Sequence, residues 1–247
     1  MAEEGTITKW FGENLAELLS QKIKPAYPSF DNKTYCKTIK ENVPGLSYKE
    51  RVTLHAEVLK KLLPENYDKT ITILLKTLGE ENPKETGMFT EYYWVLPIAK
   101  YVELYGLNNF NTSMHALEEI TKRSTSEYAI RPYIKKYPKE MLKVMTKWSK
   151  SNNFHLRRLA SEGLRPKLPW AQKLDIFIEN PKPVFNILEN LMEDEILFVK
   201  KSVANHLTDY LKVNKEQTML FINKHKDSKN KHTQWIVKRA TRKISVL

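Results

Sequence analysis

The chain has 247 residues, 41% of them hydrophobic, so it can bury a sizeable core and does not belong to the disordered class. Lysine and arginine outnumber aspartate and glutamate by 41 to 29, and the net charge of +12 favours a polyanionic partner, nucleic acid first. Only 7 glycines argue against a turn-rich all-β fold, and the single cysteine, Cys36, excludes an intrachain disulfide.

The start, MAEEGTITKW, is acidic where a secretory signal needs a basic end and an apolar run. No stretch approaches the roughly 18 apolar residues of a membrane span, so no membrane association is expected. Trp10, Phe11, Leu15, Leu18, Leu19 and Ile23 recur at helical spacing and predict a helix over 10–23. The pattern continues over 49–63 and 68–78, with a turn at Leu63-Pro64-Glu65-Asn66. Residues 79–90 are polar, hold two glycines and a proline, and are expected to form a loop. Helices follow over 94–105 and 113–123.

From residue 124 the sequence turns repetitive. The windows FHLRRLASEG (154–163), LFVKKSVANH (197–206) and QWIVKRATRK (234–243) each pair two cations with small residues. A weaker copy, SEYAIRPYIK, covers 126–135. Aligned this way, Arg158, Lys201 and Arg239 are equivalent, at spacings near the 40 residues of helix-pair repeats. Pro169 is expected to open a partner helix with Leu174, Phe177 and Ile178 on its apolar face, broken at residues 180–183. Another helix carries Val184, Ile187, Leu188 and Leu191. The fold expected is all-α, a curved solenoid of stacked HEAT-like antiparallel helix pairs with a basic concave face. One domain is expected over 1–247, with N-terminal helices in 1–123 and the clearest repeats in 124–247.

In that register the dibasic pairs Arg157/Arg158, Lys200/Lys201 and Lys238/Arg239 recur along one edge and would follow a phosphate backbone. Such contacts position a strand without reading its bases. Three carboxylates stand among them: Glu127, Glu162 and Asp209. A carboxylate in a phosphate groove weakens binding by repulsion. Two readings fit: an ion pair with Arg131 or Arg165, or stabilisation of positive charge on a ligand. Trp170 is equally open, packing between repeats or offering its indole face to a cation or base. Paired acids beside an aromatic suit a developing oxocarbenium ion, the intermediate of glycosidic bond cleavage. The histidines have no metal or triad spacing, and no glycine-rich phosphate motif occurs.

The runs RRLASEGLRPKLPWA (157–171), VKKSVANHLTD (199–209) and STSEYAIRPY (124–133) resemble the AlkC branch of the AlkC/AlkD-like alkylation-repair DNA glycosylases. WIVKRATRKI (235–244) looks like that family's terminal repeat. The resemblance implies stacked helical repeats on duplex DNA. It also implies base excision repair by hydrolysis of the N-glycosidic bond of small cationic bases, 3-methyladenine and 3-methylcytosine. By position it makes Glu127, Glu162 and Asp209 catalytic and Trp170 the lesion- or sugar-binding aromatic. It adds Arg165 and Lys167 to the backbone-binding cations Arg157, Arg158, Lys200, Lys201, Lys238 and Arg239. It implies no metal and no organic cofactor, and a monomer in the cytoplasm of a bacterium, associated with the nucleoid through its DNA substrate. An extra C-terminal immunoglobulin-like domain is not expected. Three departures stand out: Lys200-Lys201 and Lys167 where arginines are common, and Arg239 where histidine is expected. The rival reading is a non-catalytic HEAT-like module that binds nucleic acid or an acidic protein.

Overall fold

The computed structural model describes residues 7–86, 91–169 and 171–242. Every regular element among them is helical, as expected. The chain forms two compact units, Met1–Asn82 with Gly87–Thr125, and Pro83–Thr86 with Ser126–Leu247. The change from one to the other at Thr125–Ser126 nearly coincides with the change of sequence pattern at residue 124.

The first unit holds α1 (Glu13–Ile23), α2 (Asn32–Asn42), α3 (Tyr48–Leu62), α4 (Tyr67–Leu75), α5 (Leu96–Tyr105) and α6 (Phe110–Thr121). Side chains that accept orphan backbone N–H groups set the starts: Asp31 for α2, Glu50 reaching back to Ser47 at α3, and Asn66 for α4. Phe11, Leu15, Leu19, Ile39, Leu59, Leu74, Ile98 and Tyr101 are among its fully or almost fully buried side chains. The helix α2 has no counterpart in the sequence reading. Only Tyr35 and Ile39 of NKTYCKTIKEN are buried, too few to produce a periodic stripe. Residues 79–86 carry no helix, in keeping with the expected loop.

The second unit holds α7 (Arg131–Lys136), α8 (Pro138–Ser149), α9 (Phe154–Glu162), α10 (Lys182–Glu189), α11 (Leu197–Leu211), α12 (Lys215–His225) and α13 (Lys231–Thr241). Prolines in the first turn start α7, α8 and α10, where the missing N–H costs nothing. Asn153, Asn214 and Asn230 cap α9, α12 and α13. In this unit α9, α11 and α13 form a parallel row. Their pairings run in step, Glu162 with Ser202 and Arg165 with Asp209, then Lys200 with His232 and Thr208 with Ala240. Helices α8, α10 and α12 back the row.

Two expectations need correction. No helix covers the described residues from Pro169 to Ile178. The carbonyls of Gly163, Arg165 and Gln172 point instead at the Arg131 guanidinium, which fixes an irregular loop before α10. The repeat register also slips in α13. Arg158 and Lys201 stand five residues past the caps Asn153 and Ile196, whereas Arg239 stands nine past Asn230. Trp235, not Arg239, occupies the equivalent level. Matching the dibasic pairs as letters overlooked one helical turn.

Each core hides a neutral histidine. Burial pushes His55 down to about 4 and His206 down to about 3. The unfolded chain protonates both near pH 6.5 while the folded one does not, so stability must fall as pH drops below that value. The expected slope is about 1.4 kcal/mol per pH unit for each group. Urea unfolding at pH 7 and pH 5 checks this, and equal stabilities would contradict it.

Candidate active site: an alternating chain of acids and arginines

The three acids singled out in the sequence meet in the second unit, joined by two arginines. Glu127 pairs with Arg158 Nη1. Arg158 Nη2 lies 3.4 Å from Glu162 Oε1, which also accepts from Arg165 Nη1 at 2.6 Å. Arg165 continues to Asp209, with Nε and Nη2 both 2.8 Å from Oδ2. The order is Glu127, Arg158, Glu162, Arg165, Asp209, with one more acid than base. Helix geometry explains the convergence: Ser202, His206 and Asp209 are spaced to share the face of α11 that meets α9.

The acids differ in what remains free. Glu162 is the last residue of α9, where the helix dipole disfavours a negative charge, and its side chain is 7% exposed. Its second oxygen, Oε2, accepts from the Ser202 hydroxyl at 2.6 Å. Burial works to raise its pKa, but Arg158, Arg165 and Ser202 outweigh burial and hold it below the usual value. Asp209 is the reverse. Burial lifts its pKa above the ordinary carboxylate value, and Arg165 recovers only part of that. Its side chain is 12% exposed, and Oδ1 has no hydrogen bond among the described residues. Glu162 is saturated, whereas Asp209 keeps one acceptor oxygen for something else.

Two supports stand behind the chain. Arg131, nearly fully buried, donates to Gln172 O at 2.8 and 2.5 Å, to Gly163 O at 3.2 Å and to Arg165 O at 2.9 Å. It therefore pairs with carbonyls rather than acids and anchors the backbone that presents Arg165. Burial lowers it to about 10, still cationic at neutral pH. Gly163 permits the close approach: a Cβ there would stand 3.1 Å from Ile130, Met145 and the Leu159 carbonyl.

This segment matches the family described as DNA alkylation repair enzyme, over residues 119–244. The chain belongs to that family. The matched region, half of the sequence, contains the whole acid–arginine chain. Over its length the protein is also similar to the Pseudomonas fluorescens alkylpurine DNA glycosylase AlkC, solved bound to DNA containing an abasic site analog. The TM-score is 0.87 at 33% identity, across 97% of this chain and 65% of that one. YhaZ, an uncharacterized protein of Bacillus subtilis (strain 168), is 36% identical over 235 residues, 95% of this chain and 63% of that protein. The chain thus spans just under two thirds of the length of either relative. The resemblance to the AlkC branch is borne out.

Within this family member the expected backbone-binding cations fall into four groups. Arg158 and Arg165 belong to the acid chain, and Arg158 also lies over the Phe198 ring at 4.9 Å. Arg157 is occupied elsewhere: its guanidinium bonds Asp194 at 2.6 and 3.3 Å and the carbonyls of Ser151 and Asn152. It ties the α8–α9 turn to the start of α11, a structural use that leaves little for phosphate. Lys167, Lys201 and Lys238 are exposed. Lys200 and Arg239 flank Trp235. Trp170 lies outside the described residues. Sequence reasoning missed Ser202 and the carbonyl clamp of Arg131, although the i, i+7 spacing of Ser202 and Asp209 was a usable signal.

Among the described residues no group of acids, histidines and cysteine is arranged to hold a metal ion, and no helix is long and apolar enough to cross a membrane.

Proposed function

We propose that the protein is a DNA glycosylase that hydrolyses the N-glycosidic bond of small cationic alkylated bases, 3-methyladenine first and 3-methylcytosine second. The observation that carries this reading is the acid chain with one free carboxylate oxygen, on a basic protein of the alkylation-repair family. A DNA-binding module needs cations facing phosphate. It has no use for three acids held together by arginines that would otherwise bind the strand.

Methylation at N3 leaves the base positively charged, so it departs as a neutral molecule without a general acid. What remains is a sugar with oxocarbenium character at C1′, which needs a nearby negative charge and a water. Asp209 supplies both: Oδ1 faces the cation and orients the water, while Arg165 holds Oδ2. A fixed charge that need not reorganise lowers the barrier most. Glu162 and Glu127 position the two arginines and add to the negative potential. Trp170 offers its ring to the sugar or lesion. The exposed cations Lys167, Lys201 and Lys238 hold the backbone of duplex DNA. The protein acts as a monomer, as one domain on its substrate, in the bacterial cytoplasm, and needs no cofactor.

Uncharged bases leave too slowly to be attacked, so selectivity comes from the leaving group rather than a tight pocket. Incubation with methylated duplex DNA is expected to release free 3-methyladenine and to leave the uncharged bases in place. A protein that binds this DNA and releases no base would overturn the glycosylase reading in favour of a binding module.

A further inference from the structure

Helix α11 packs against α9, α12 and α13, and from Val199 onward it opens to solvent along one line. Lys201 is exposed and Asn205 half-buried on that line, which continues past the last turn to the exposed Lys212. Every other residue from Val199 to Leu211 is buried. Asp209 lies at the edge of the same line, four residues past Asn205 and three before Lys212, a spacing that puts side chains on one face. A strand that reaches Asp209 therefore also meets Asn205.

Asn205 is the uncharged member of this line, and its side chain makes no hydrogen bond among the described residues. Asparagine is a weak helix former, and it stands here in the middle of a helix, where no cap is needed. Neither packing nor capping gives a reason for an amide at this level. Its neighbour gives one. Residues four apart on a helix have Cβ atoms roughly 5–6 Å apart, a gap that one water spans with a hydrogen bond to each side chain. Arg165 holds Oδ2 of Asp209 at 2.8 Å, and Oδ1 has no hydrogen bond among the described residues.

An attacking water is best fixed when both of its hydrogens are taken, because a lone pair then points at the electrophile. Asp209 Oδ1 takes one. Arg165, Lys212 and Glu162 are the charged groups that act on Asp209. The two cations have no acceptor to offer. Glu162 is already engaged by Arg158, Arg165 and Ser202. The amide oxygen of Asn205 is the acceptor left on the open line for the second hydrogen.

We propose that Asn205 is a further catalytic residue, whose amide oxygen and the free oxygen of Asp209 together hold the water that attacks C1′. The N-glycosidic bond breaks with its electron pair returning to the cationic base, which leaves neutral. A lone pair of the held water forms the O–C1′ bond, and the proton it sheds passes to Asp209 Oδ1 and on to solvent. This assignment rests on the proposed function and adds to it the group that orients the nucleophile.

The test compares the full-length wild type, Asn205→Ala and Asn205→Gln on methylated duplex DNA under single turnover, with and without added methanol. Alanine is the better helix former, so Asn205→Ala should melt no lower than the wild type. Its affinity for a duplex bearing an abasic-site analogue should be unchanged. Release of 3-methyladenine should nevertheless fall on the order of 100-fold. Asn205→Gln keeps the amide but displaces it by one methylene, and its rate should lie between the two. Methanol has a single O–H and cannot satisfy both oxygens, so the wild type should pass the sugar mainly to water. Asn205→Ala should lose that discrimination and form a larger share of the methyl glycoside. Wild-type release by Asn205→Ala would overturn the assignment. So would slower release with an unchanged share of methyl glycoside, or a loss of DNA affinity that accounts for the slower rate. A wild type that releases no base removes the glycosylase reading and this assignment together, whereas an active wild type with an equally active Asn205→Ala removes the assignment alone.

Discussion

Replacing Asp209 by asparagine is expected to lower the rate of 3-methyladenine release by roughly 10²- to 10³-fold, the usual loss when one preorganised charge-stabilising group is removed. Binding to duplex DNA should hold or tighten, since a negative charge leaves a site that meets phosphates. The substitution keeps the shape and one acceptor oxygen, which the Arg165 donors take, so an uncharged amide NH2 replaces the free Oδ1. The wild-type pH profile adds a second signature. Burial raises the pKa of Asp209, and only the ionised form stabilises a cation. Activity should therefore fall with decreasing pH at a value above the ordinary carboxylate range near 3.9. In Asp209→Asn that acid limb should disappear. Single-turnover release on methylated DNA measures both effects. An unchanged rate would remove Asp209 from the mechanism.

Glu162→Gln should cost stability before it costs chemistry. The side chain is 7% exposed and accepts from two arginines and a serine. Removing one partner from a buried charge cluster costs about 3–5 kcal/mol. For a chain of this size that lowers the melting temperature by on the order of 10 °C. The pH dependence has a definite sign. The folded-state pKa of Glu162 lies below its unfolded value near 4.3, so its contribution is present above that pH and lost below it. The gap between wild type and variant should close as pH drops through this range. Thermal melts at pH 7 and pH 4 decide it. A variant that melts like the wild type yet releases no base would make Glu162 a direct participant.

The helical class and most element positions were legible because each core-facing stripe repeats every three or four residues. Leu15, Leu19 and Ile23 in α1 show this directly. The reading failed where burial is decided by something other than a stripe. α2 buries too few apolar residues to be seen. The loop after α9 has helical letters, Pro169 followed by apolar residues, but a guanidinium from another helix takes its carbonyls. The acids were found by motif and resemblance, and their convergence could not be read from one dimension. Nor could the division of labour among them. Nothing in SEGLRPKLPW indicates that Glu162 is saturated while Asp209 keeps an oxygen free. The register of α13 failed for a related reason: two adjacent cations look alike at any turn of a helix, and only the cap at Asn230 fixes the level.

The Arg131 clamp bears on the order in which the molecule assembles. Its three backbone acceptors lie 32, 34 and 41 residues further along the chain. The carbonyls of Gly163, Arg165 and Gln172 are thus held by a contact that closes a long loop. Closing such a loop carries an entropic cost before it gains anything. The helices α8 and α9 and the Arg165–Glu162 pair can form from local contacts, but the Arg131 clamp on the Arg165 carbonyl and the Arg165–Asp209 pair both close long loops. The Arg165–Asp209 link proposed for chemistry thus carries a loop-closure cost that the local helices do not.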